Sequence, residues 1–165
     1  MRRSTPIPFP YGAGYPPTWR GAPHHMVPGE ARLLHAWYDS HNTGVDEVWY
    51  DVAMDGTPSS TPADTADDPP HPASFQRMWQ RLNSKRADAI ARIGERYRII
   101  ELRSAAQPQT IGELHQYRYL AAAEWPQLSW LRPLLITSYI DAMIRLTIEA
   151  SDIDVVVLDL PIITT

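Results

Sequence analysis

The rhythm of apolar and polar positions changes several times along the chain, and each rhythm predicts an element. Between Gly29 and Asn42, Leu33, Leu34, Trp37 and Tyr38 recur at helical spacing, with Glu30 in the first turn and Gly44 beyond the end. Residues 47–54 then alternate, with Val48, Tyr50, Val52 and Met54 on one face, which predicts a strand ended by an Asp55-Gly56 turn. Past Pro72, Ser74 suits the cap of a helix carrying Phe75, Met78, Trp79 and Leu82 on one face. Residues 87–93 and 97–102 predict two strands joined by Gly94-Glu95 as a hairpin. A helix follows over 110–124, with Thr110 as cap, Glu113 three positions on in a capping-box pattern, and Pro126 as its stop. Residues 133–137 predict a short buried strand, Ser138 caps a helix to about Ala150, and 153–160 close the chain as a strand. No internal repeat interrupts this order.

The prolines divide the chain. Of 16, seven lie in the first 28 residues, five between 57 and 72, and four in the remainder. Proline fixes φ and removes a donor, so neither dense stretch can be a helix or an inner strand. Four segments result: an extended Pro/aromatic arm (1–28), a helix plus strand (29–56), a Pro/Asp-rich linker (57–72) and an α/β domain (73–165). The arm interleaves its prolines with Phe9, Tyr11, Tyr15 and Trp19. A disordered tail is poor in aromatics, so this arm is expected to lie on a surface, either that of its own domain or that of a neighbouring subunit.

Composition narrows the classes. A chain of 165 residues can bury one core without staples, and the absence of Cys excludes thiol catalysis, Cys-ligated zinc and disulfides. The formal charge of −4 argues against a generic nucleic-acid coat. No apolar run approaches the roughly 20 residues of a membrane span, and Met1-Arg2-Arg3 leads into prolines rather than the apolar stretch of a signal peptide. All basic residues but Lys85 are Arg.

The hairpin carries the candidate chemistry. A turn at Gly94-Glu95 sets Asp88 on one strand opposite Glu101 on the other. Two carboxylates side by side repel unless a cation or a proton lies between them. Such a pair can serve Mg²⁺, which takes hard oxygen ligands and keeps several waters; the plainer alternative is two solvated strand-end residues. A second signal is Arg77, Arg81 and Lys85 at i, i+4, i+8, one helical face fit for phosphate or an acidic partner, or simply for solvent. The histidines show no ligand spacing, Asp152, Asp154 and Asp159 read as strand-end polar positions, and no phosphate loop or nucleophile elbow is present.

An Asp, a glycine turn, an apolar strand ending Glu101-Leu102-Arg103-Ser104, and then a helix with Gln116 before Tyr117 resembles the PD-(D/E)XK, or restriction-endonuclease-like, superfamily over about residues 74–160. The resemblance implies an α/β fold, a mixed sheet flanked by helices, here with an extended Pro-rich N-terminal arm. It implies catalytic roles for Asp88, Glu101, Arg103 and Gln116, with Asp88 and Glu101 as Mg²⁺ ligands. Arg103 stands where the family carries a Lys that positions or helps deprotonate the attacking water. Arginine stays protonated and cannot be that base, although it binds phosphate. Only Lys85 could substitute.

Two functions follow as expectations. The first is a non-enzymatic structural or assembly protein needing no cofactor, in layout like the head–tail connector or neck proteins of tailed bacteriophages. It would act in a virion or host cytoplasm as a homo-oligomeric ring beside a neighbouring structural protein, with Phe9, Tyr11, Tyr15 and Trp19 gripping the next subunit. DNA contact is compatible with it, membrane contact is not expected. The alternative is a Mg²⁺-dependent DNA phosphodiesterase.

Overall fold

The computed structural model describes residues 11–21, 23, 26–40, 43–54, 85–128 and 131–160. In chain order these form α1 (Pro28–Ser40), β1 (Glu47–Met54), β2 (Lys85–Ile93), β3 (Arg96–Ala105), α2 (Pro108–Glu124), β4 (Leu131–Tyr139), α3 (Ala142–Glu149) and β5 (Asp154–Val157). The strands make one five-stranded mixed sheet in the order β1-β2-β3-β4-β5. Neighbours β1, β2 and β3 are antiparallel, whereas β4 and β5 each return parallel through a helix. The β2–β3 hairpin turns at Gly94, whose φ of 60° is the left-handed value glycine adopts freely. Pairing runs from Ile93–Arg96 to Ala89–Ile100, in the predicted register.

Helices cover both faces of the sheet. On one side Leu33, Leu34 and Trp37 of α1 join Ile100, Leu102, Leu134 and Ile136 in a buried apolar cluster. On the other, Leu114, Tyr117 and Ala121 of α2 join Trp49, Ile90, Ile99 and Leu135. Each of these large side chains contributes about 1.5–3 kcal/mol on burial, so the sheet is clamped from both faces. Along β3, alternation sends Ile100 and Leu102 to the α1 side, and Ile99, Glu101 and Arg103 to the α2 side.

The segment 29–56, expected to stand apart from the C-terminal domain, is part of the same sheet. Its strand β1 pairs with β2 from Glu47–Arg92 to Met54–Lys85, and its helix roofs β3 and β4. The linker, the helix expected after Ser74, and Arg77 and Arg81 lie outside the described residues. Lys85 opens β2 rather than ending a helix.

Two helix starts are also shifted. Thr110 is the third residue of α2, not its cap: Pro108 opens the helix, where no N–H is needed, and the extended Gln107 precedes it. The Gln107 N–H donates back to Thr110 Oγ1 at 3.4 Å. Ser138 lies within β4; the cap of α3 is Asp141, whose carboxylate accepts from the Met143 N–H at 2.8 Å.

The described part of the arm lies on its own chain. Tyr15 exchanges two backbone hydrogen bonds with Val48, both 2.8 Å, on the outer edge of β1. Trp19 stacks on Tyr15 and leans on Tyr50; Tyr11 meets Trp125 edge to face and donates to the Ala53 carbonyl at 2.7 Å. The Trp49 indole N–H donates to the Gly12 carbonyl at 3.1 Å. Tyr11, Tyr15 and Trp19 thus contact their own chain, where they blunt an exposed strand edge. Phe9 lies outside the described residues. No helix among the described residues is long and apolar enough to cross a membrane.

Candidate functional site

Where β2 and β3 reach the end of their ladder, side chains take over from backbone pairing. Beyond the Ala89–Ile100 pair, the Asp88 carboxylate accepts the Leu102 N–H at 2.7 Å. This holds Asp88 against the neighbouring strand, beside Glu101. Glu101 is 1 % exposed, and its Oε2 has no hydrogen-bond partner. Its Oε1 meets the Arg103 guanidinium, two residues along the same strand.

Two helices bring further carboxylates. Glu30, in the first turn of α1, accepts the Val27 N–H at 3.1 Å through Oε2 and leaves Oε1 at 3.8 Å from Arg103. Glu113, one turn into α2, accepts from Arg103 at 3.1 Å. The site thus sets one guanidinium among Glu30, Glu101 and Glu113, with Asp88 adjoining. On the β1 side Asp51, held at φ 51°, pairs with Arg86 at 2.7 Å and adds negative charge near Asp88.

Burial first, and then the surplus of negative charge, raise carboxyl pKa values. Burial pushes Asp88 up to about 6, against the pull of the Leu102 amide. Burial and the neighbouring Asp88 push Glu101 up to about 9, although Arg103 pulls the other way. Both carboxyls are thereby shifted toward their protonated forms in the metal-free protein. Tyr117, buried beside the carboxylates, is raised as well, first by burial and then by their charge.

The residues singled out from sequence fare differently. Asp88, Glu101 and Arg103 come together. Gln116 does not: it follows the buried Leu114 by two positions, about 200° round the helix, and is exposed. The helix presents Glu113 and Tyr117 to the sheet instead. Lys85 is exposed at the first position of β2. Glu30 and Glu113 were legible only as helix-start residues, because their convergence on Arg103 depends on where two helices dock. No group of three or more Asp, Glu or His among the described residues is close enough to hold a metal ion.

Asp88 and Glu101 remain as two hard oxygen donors, the number a water-rich Mg²⁺ site draws from protein. The unpartnered, buried Glu101 Oε2 fits such a cation, since a carboxylate oxygen without a donor carries an unpaid desolvation cost.

No protein-family model, curated protein or solved structure matches this chain.

Proposed function

We propose that the protein is a divalent-metal-dependent phosphodiesterase acting on DNA through a restriction-endonuclease-like site at Asp88, Glu101 and Arg103. One observation carries this reading: the fully buried Glu101, beside Asp88 on the next strand, leaves Oε2 without a partner in a cluster short of positive charge. Arg103 pairs only Oε1, and a buried carboxyl oxygen left without a donor costs several kcal/mol or a proton. The mixed sheet with helices on both faces agrees with the fold this site requires.

Mg²⁺ held by Asp88 and Glu101 would polarise a phosphoryl oxygen and lower the pKa of a bound water. The chain's own residues have complementary tasks. Asp88 is fixed by the Leu102 amide, so its free oxygen is oriented without rearrangement. Arg103, about one-third exposed, reaches from Glu101 toward solvent, where its planar fork suits a phosphate oxygen. Glu113 and Glu30 hold Arg103 in place from two helices. Arg103 cannot accept the proton of an attacking water, so that task falls to a carboxylate or to solvent.

The test is cleavage of DNA by the purified protein with Mg²⁺ or Mn²⁺, with Asp88→Asn and Glu101→Gln alongside. Cutting that both substitutions abolish supports the reading; no cutting with any divalent ion, by protein shown to be folded, overturns it. A second reading, assembly within a multi-subunit particle, is favoured by apolar side chains left uncovered on one side of the fold. Tyr139 is 59 %, Met143 71 % and Leu146 62 % exposed. Under it the protein forms a stable oligomer that Met143→Ser with Leu146→Ser dissolves.

A further inference from the structure

At the start of β3, away from the carboxylate site, arginines dominate. A groove of about 380 Å³ is lined by Arg96 and Arg98 of β3, Arg118 of α2, Arg132 of β4 and Asp152. Arg98 and Arg132 are register partners on adjacent parallel strands, so like charges stand side by side, an arrangement that destabilises a sheet unless an anion intervenes.

Two aspartates supply part of that anion. Asp154 accepts from Arg98 and lies 3.3 Å from Arg132. Asp152, held at a left-handed φ of 56°, is 3.1 Å from Arg118 and 3.3 Å from Arg132. Four guanidinium groups against two carboxylates leave two positive charges over, in a chain whose formal charge is −4. Arg96 has no ion pair among the described residues and is exposed at the rim. The guanidinium groups come from two strands and a helix and face one concavity, as bidentate capture of a phosphate requires. Asp152 and Asp154 offset half of that positive charge.

We propose that this groove is a phosphate-binding site that takes either a phosphodiester of a nucleic-acid backbone or a small phosphate-bearing molecule. It is independent of the metal site proposed above: it lies at the other end of β3 and needs no divalent ion.

The test is run in EDTA, so that loss of metal chemistry has no bearing on it. Inorganic phosphate is titrated into the folded full chain while the arginine Nε–Hε signals are followed by NMR, with Arg145, paired to Glu149 on exposed α3, as internal control. Binding of a fluorescent single-stranded or duplex oligonucleotide is measured in parallel for the wild type and for Arg118→Gln with Arg132→Gln. If the backbone is the ligand, the double substitution weakens the oligonucleotide by about tenfold or more and lowers the salt slope by about 2. If a small phosphate is the ligand, the signals of Arg118 and Arg132 shift with phosphate while oligonucleotides do not bind. Phosphate that shifts none of the groove arginines beyond Arg145, together with oligonucleotide binding that is absent or unchanged by the substitutions, overturns the proposal. The wild-type titration decides the matter even if the double variant misfolds.

Discussion

A carboxyl group with its pKa raised by burial binds a proton more tightly folded than unfolded. Between its unfolded value and its folded value the native state therefore holds more protons, and stability falls as pH rises. For Glu101 that window runs from the ordinary carboxylate range to about 9, and for Asp88 to about 6. We expect the metal-free protein to be most stable near the bottom of this window and to lose stability steadily toward pH 9 in thermal melts. Glu101→Gln should flatten that decline, because an amide has no proton to lose. The same proton is the competitor of a metal ion, so Mg²⁺ affinity should rise with pH and binding should release close to one proton. Calorimetry in buffers of different ionisation enthalpy reads this directly; uptake of protons, or none exchanged, would contradict the assignment of Glu101. Arg103→Met removes the one cation that Glu30, Glu101 and Glu113 share. It should lower stability by about 2 kcal/mol at neutral pH, less than the ~3–5 kcal/mol of a fully buried broken pair, because Arg103 is partly solvated.

At the level of elements, the site is a property of one hairpin and the two helices that dock on it. The hairpin was readable from its apolar alternation and its glycine: Gly94 occupies a left-handed turn position, and the turn sets the register that puts Asp88 beside Glu101. Gly94→Ala strains that turn and should cost about 1 kcal/mol in chemical denaturation, with Asp88–Glu101 spacing, and so metal affinity, affected in the same variant. The helices were readable as helices but not as donors of site residues. Glu113 sits where a capping box predicts an acid, yet Thr110 is already inside α2 and Glu113 turns to Arg103. Gln116 was marked by motif and discarded by geometry, since a helix shows the sheet only one side.

For the molecule as a whole, the sheet has two unequal edges. The β1 edge is closed by the arm through Tyr15, and the Trp49 indole is tied to it through Gly12. Removing residues 1–20 should uncover β1, lower the melting temperature and promote self-association seen by size exclusion. An arm that instead served only a neighbouring subunit could be removed without cost to the isolated chain, so an unchanged melt would refute the cis role. The two charged sites lie toward opposite ends of β3, with Glu101 and Arg103 near one end and Arg96 and Arg98 at the other. A nucleic acid engaging both would run along the strand direction, over about 17 Å between Arg98 and Arg103.

Strand alternation, helix periodicity and turn residues reside in local sequence, and for that reason the extent of β1, the hairpin and its register could be read directly from the residues. They depend on neighbours a few positions away, whose physics is complete before the chain folds. Asp51, at φ 51°, breaks the alternation expected of β1, so Val48 and Tyr50 join the α1 side while Val52 and Met54 join the α2 side. Three matters were decided only by tertiary packing. Residues 29–56 joined the sheet because β1 pairs along the edge of β2 left open by β3, from Glu47–Arg92 to Met54–Lys85. Glu30 and Glu113 became site residues because α1 and α2 bury Leu34 and Leu114 against β3 and β4, and that burial sets where their N-terminal halves point. Residues 11–21 lie along β1 because its edge offers hydrogen bonds and aromatic rings. Each outcome is a contact between residues far apart in the chain, chosen by which surfaces must leave water together.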